Sequence, residues 1–137
     1  MSLVDDVADR LTTQGVASTG TTLFKDQMPS TPDEVLALYE TAGPPPARVM
    51  GQSTGTRPAA EMPHLQVVAR ASRSDAARKL CRDAWHNLEG LGPVRIHGVD
   101  YYGFASMQAP FFLRKDEAGR YYWVTNFEVT RFAVTSS

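Results

Sequence analysis

The stretch from His64 to Val99 constrains the chain most, because it reads as strand, helix, strand. His64-Leu65-Gln66-Val67-Val68-Ala69-Arg70-Ala71 is rich in residues that suit a pleated, half-buried surface. Ser72 followed by Asp75 has the spacing of a capping box, so a helix is predicted to begin there. Ala77, Leu80, Cys81, Ala84 and Leu88 then recur at helical spacing, which predicts one buried stripe with Trp85 at its edge. Arg73, Lys79, Arg82, Asp83 and Glu89 fall on the opposite face. Gly90, Gly92 and Pro93 stop the helix, since glycine accepts the left-handed terminal conformation and proline cannot continue the ladder. Val94-Arg95-Ile96-His97 leads back into a sheet.

The other segments fit around this unit. Ser2 and Asp5 are placed to cap a first helix carrying Leu3, Val7 and Leu11 on one stripe, ending at Gly15. Thr22 to Lys25 is a short candidate strand. Thr31-Pro32-Asp33-Glu34 has the cap, the first-position proline and the acid of a helix start. The residues that follow, Val35 to Tyr39, alternate equally well as a central strand covered on both faces. Local chemistry leaves both readings open. From Gly43 to Pro63 the chain is rich in proline, glycine and small polar residues, which predicts a long loop, and loops of that length are usually functional or disordered. Its Gly51-Gln52-Ser53-Thr54-Gly55-Thr56 run lacks the Gly-Lys-Ser/Thr ending of a phosphate loop.

Tyr101 to Met107 is predicted to form a strand, joined to the preceding one by a turn at Gly98. Pro110 makes Phe111-Phe112-Leu113-Arg114 a kinked continuation or an edge. Asp116 to Gly119 is a hairpin connection, after which Tyr121, Trp123, Phe127 and Val129 alternate with Asn126, Glu128 and Thr130. Phe132 and Val134 break that alternation, as a bulge or a contact with another chain would require. The paired aromatics Tyr101-Tyr102, Phe111-Phe112 and Tyr121-Tyr122 put bulk on both faces of single strands. One small sheet does not easily cover both, so a partner surface is expected.

No chemical centre emerges. Cys81, Asp83 and His86 share a helix, but Cys81 lies on the apolar stripe and His86 points about 140° away from it at 100° per residue. His64, His86 and His97 lack ligand spacing, and a single cysteine excludes an internal disulfide and a multi-cysteine zinc site. A base-stacking platform needs cations interleaved with its rings, whereas Arg114, Lys115 and Arg120 cluster at the hairpin tip. No run reaches the roughly 20 apolar residues of a membrane span, and the chain opens without a signal-peptide pattern. The expected site of action is the cytoplasm or an assembly built there. At 137 residues one domain is expected. Net charge is −1, yet residues 1–43 hold seven acids against Arg10 and Lys25, while 44–82 hold seven bases against Glu61 and Asp75. Such segregation either steers unlike patches of identical subunits together or reflects solvated faces alone.

The order of elements resembles the tail-terminator (minor capsid) proteins of long-tailed bacteriophages and prophages. The resemblance is carried by Asp33-Glu34-Val35-Leu36-Ala37-Leu38-Tyr39-Glu40, Leu65-Gln66-Val67-Val68-Ala69-Arg70-Ala71 with its helix, Gln108-Ala109-Pro110-Phe111, the Asp116-to-Arg120 hairpin and Thr125-Asn126-Phe127-Glu128-Val129. It implies a single α+β domain with a mixed, mostly antiparallel curved sheet and two helices packed on it, and it makes Val35 to Tyr39 a strand. It further implies a homohexameric ring in the virion, assembled in the host cytoplasm. That ring caps the tail tube, stops tail polymerisation and provides the docking surface for the head connector. Its partners are itself, the tail-tube protein and the head-completion protein, genome DNA passes through the lumen without specific binding, and neither cofactor, metal nor membrane is involved. The candidate contact residues are Arg48, Met50, Arg57, Arg73, Arg78, Lys79, Arg114, Lys115 and Arg120, with the Gly43-to-Pro63 loop reaching the lumen or a neighbouring ring. The alternatives are another neck or head-completion protein, and a small-molecule-binding α+β domain.

Overall fold

The computed structural model describes residues 2–41 and 60–132. Elements follow in the order α1 (Leu3–Thr13), β1 (Leu23–Lys25), β2 (Val35–Thr41), β3 (Ala60–Glu61), β4 (His64–Ala71), α2 (Ser74–Leu88), β5 (Val94–Ile96), β6 (Val99–Lys115) and β7 (Tyr121–Phe132). The strands form one sheet in the order β1-β2-β4-β7-β6-β5, with β3 on the end of β7. Among the described strands only β1 and β2 run parallel; the other pairs are antiparallel. This is an α+β fold with a curled sheet.

Both helices lie on the same face. Leu3, Val7 and Leu11 of α1 and Leu80, Cys81, Ala84 and Leu88 of α2 share one buried cluster with Leu36 and Leu38 of β2, Leu65 and Val67 of β4, and Phe127 and Val129 of β7. Ala77 is buried beside them. Ser2 and Asp5 close a reciprocal capping box on α1. The start of α2 differs from the sequence expectation. It begins at Ser74 with Arg73 as N-cap and no side-chain cap, rather than at Ser72. The Asp75 carboxylate is instead held by the Arg73 guanidinium at 3.1 and 2.9 Å, a two-point ion pair that competes with capping.

The Val35-to-Tyr39 segment is a strand with β1 on one side and β4 on the other. Leu36 and Leu38 face the helices, Val35 and Ala37 face away, and all four are fully buried. A helix cap contributes about 1 kcal/mol. Burying each of Val35, Leu36 and Leu38 contributes roughly 1.5–3 kcal/mol, so tertiary pairing wins. The face away from the helices buries Val68, Tyr122 and Val124 beneath Met28 and Tyr39. Two arginines pin the segment before β2 there. Arg70, 1% exposed, donates to the carbonyls of Pro32 and Asp33, and Arg120 donates to that of Ser30 at 2.6 Å.

Ile96 pairs with Val99 across a two-residue turn at His97 and Gly98. β6 continues through Pro110 as a kinked strand, with register shifts against β7 at four places. One shift inserts Tyr102 between Tyr101↔Arg131 and Gly103↔Thr130, and Tyr102 packs edge-on against Phe132, 4.9 Å between ring centres. β7 itself runs through Phe132 in regular register with β3, so the bulge is on β6 and Phe132 meets the Tyr102 that it inserts. Val134 and the Gly43-to-Pro63 loop up to Ala59 lie outside the described residues.

Candidate assembly surface

The long β6–β7 hairpin carries the surface with the least internal explanation. α2 covers β6 as far as Ser106, where Trp85 Nε1 donates to the Ser106 hydroxyl at 2.9 Å and Glu89 accepts from the Ser106 amide at 2.8 Å. Beyond that point Met107, Phe111, Phe112 and Leu113 are 53, 37, 49 and 49% exposed. Exposed apolar side chains are ordinary when scattered, and four within seven residues of one strand make this the densest exposed apolar stretch among the described residues.

The hairpin holds its shape through its turn. The Asp116 carboxylate accepts from the amides of Ala118 and Arg120, from Arg120 Nε and from the Tyr122 hydroxyl, all at 2.9–3.0 Å. These bonds, the Arg120 amide foremost, hold the carboxyl at about 2. Gly119 sits at φ +83°, a conformation other residues rarely adopt. Arg120 is mostly enclosed by these contacts, which makes it a structural residue of the turn.

The rings of the hairpin are capped by the chain's own cations. Arg114 lies 4.1 Å over Tyr122, Lys115 5.1 Å over Tyr121, and Arg78 of α2 5.7 Å over Trp123. Arg114, Lys115 and Arg120 lie at the hairpin tip as the sequence suggests, and Arg114 and Lys115 fold back over the first rings of β7. Because they occupy the ring faces, those faces are taken for base stacking. Arg78, Arg114 and Lys115 make no ion pair among the described residues, whereas Arg73 pairs with Asp75 and Lys79 with Asp83. Arg48, Met50 and Arg57 lie outside the described residues. Sequence reasoning missed Arg70 and Arg120 as internal clamps, since nothing local distinguishes an arginine that bonds carbonyls from one on a solvated face.

Chemistry elsewhere is sparse. No group of three or more His, Cys, Asp or Glu is placed to hold a metal among the described residues. The Cys81 thiol is pushed up to about 12 by burial, so it is not a thiolate nucleophile. No helix among the described residues is long and apolar enough to cross a membrane.

A search among curated proteins finds no match. Among solved structures, a chain of the virion of a native gene transfer agent particle matches with a TM-score of 0.63 at 17% identity, covering 96% of each chain, and this likeness is one of fold. A family model described as bacteriophage tail terminator protein matches residues 10–131, which takes in α2, the full sheet core and nearly all of the apolar hairpin. An α+β subunit with an unspent apolar strand edge and a structural family spanning almost its whole length point the same way, and the chain belongs to the bacteriophage tail terminator family.

Proposed function

We propose that the 137-residue chain acts as one tail-terminator unit, six copies of which form a ring on the end of the tail tube. The ring stops addition of further tube protein, and its other side receives the head connector at the head–tail junction. Genome DNA passes through the lumen without specific binding, and assembly takes place in the bacterial cytoplasm. The observation that carries this reading is the family match, joined to a strand edge whose apolar side chains are exposed among the described residues. Contact between one surface patch and a different patch on an identical copy builds a ring where the rotation between copies closes.

Electron microscopy of particles made with and without the protein tests this. Its loss is expected to give tails of uncontrolled length that fail to join heads, and its return to restore both length and joining. Head-bearing particles with normal tails in its absence would refute the proposal, and normal tails with unjoined, leaking heads would favour a head-completion protein instead.

A further inference from the structure

The two lateral edges of the sheet are both incomplete, and they differ in sign. On one side β5 covers β6 only from Val99 to Tyr101. The segment after α2 adds two backbone bonds at Phe104, from Gly90 and to Leu91, each 3.0 Å. From Met107 to Lys115 no described strand lies on that side of β6, and this length carries the exposed apolar run with Arg114 and Lys115. On the other side β1 pairs with β2 only from Leu36 to Leu38, and no described strand lies beside Tyr39, Glu40 and Thr41 there. Asp26 and Glu40 are exposed there and make no ion pair among the described residues. Phe24, Met28 and Tyr39, all partly buried, form an apolar margin along that same edge.

We propose that the β6 edge of one subunit, Met107 to Lys115, docks on the β1–β2 edge of the next copy, head to tail. The inference rests on the ring reading above and names its contact. An exposed edge strand presents unpaired amides and carbonyls, so extension of one sheet by the next satisfies those left free by Pro110 on β6, which has no amide, and by the bonds that Leu23 of β1 already makes to Ser18 and Gly20. Charge selects the pairing. Two β6 edges brought together would set Arg114 and Lys115 against their own copies, and two β1–β2 edges would oppose Asp26 and Glu40. The unlike pairing puts Arg114 and Lys115 beside Asp26 and Glu40 and lays Phe111 and Leu113 against Phe24 and Tyr39. Repetition of this heterologous contact closes into a ring.

Two charge-reversed full-length chains, Arg114→Glu with Lys115→Glu and Asp26→Lys with Glu40→Lys, test the assignment. Ring formation is read by sedimentation and by electron microscopy on tail tubes, and circular dichroism confirms that each variant folds. Each variant alone is expected to assemble at least tenfold less well than the wild type. Mixed one to one, the two restore matched charge at every contact, and rings of alternating copies return; a chain carrying all four changes also recovers. Wild-type rings together with unimpaired assembly of either variant, or failure of the mixture, overturn the edge assignment and leave the ring reading standing. Absence of rings from the wild type itself overturns both.

Discussion

The Tyr101 hydroxyl on β6 donates to the buried carboxylate of Asp6 in α1, tying together residues 95 apart in the chain. Burial, and then Asp6, hold the phenol well above its usual range. The other Asp6 oxygen has no hydrogen-bond partner among the described residues, and the His97 ring lies 3.9 Å from it. Tyr101→Phe removes the one strong donor from a buried carboxylate and is expected to cost roughly 1–3 kcal/mol in urea unfolding. In a double-mutant cycle with Asp6→Ala the two losses should fall well short of additive; additive losses would mean the bond carries nothing.

Acid should unfold the protein through a small set of carboxylates. Asp116 and Asp5 are both lowered from an ordinary 3.8 to about 2, Asp116 by the amide, hydroxyl and guanidinium bonds of its turn and Asp5 chiefly by Lys25 at 2.7 Å. A carboxyl with a depressed folded value binds its proton more readily when unfolded, so the stability it contributes is complete above 3.8 and fades as pH falls towards 2. Melting temperature is expected to drop across that window. Asp116→Asn should lower the neutral-pH melt and flatten the acid slope, and an unchanged slope would count against this account.

Cys81 should resist thiol reagents in the native state. It is fully buried on the inner face of α2, and that burial pushes its thiol up to about 12. Modification by a disulfide reagent at pH 8 is expected to track global unfolding, accelerating at least a hundredfold in denaturant. Rapid labelling of the folded protein would show that α2 opens locally.

Gly92 is expected to tolerate no side chain. Its φ is +123°, and a Cβ there would lie 2.5 Å from the Tyr102 carbonyl oxygen. Gly92→Ala combines a forbidden backbone with a clash against main chain, and a loss on the order of 3 kcal/mol is expected in thermal or urea melts. A melt within a degree of wild type would refute the packing of this turn on β6.

The helices, their buried stripes and the hairpin at Asp116 were legible because each rests on spacing within a few residues. The Ser72 cap was not, because Arg73 takes Asp75 for an ion pair that no spacing rule anticipates. The strand at Val35 was legible only through family resemblance. Its local chemistry is that of a helix start, and what decides it is β1 and β4 on either side. The paired aromatics Phe111-Phe112 pointed to bulk that one sheet does not cover, and the structure leaves Phe111 to Leu113 exposed. That it lies on a free edge, opposite an acidic edge, depends on strand order, which pairs β7 with β4 and leaves β6 outside.

Pro110 gives the newly made subunit a safeguard. An apolar strand edge is a template for any strand that drifts past, including those of unfolded neighbours crowded on the same messenger. Here proline lacks an amide in mid-run, and the spacing between Gln108 and Phe111 is out of step with an uninterrupted strand. Arg114 and Lys115 add charge at its end. A strand laid along this edge meets a missing donor and a change of step halfway, so it cannot pair without interruption from Met107 to Lys115.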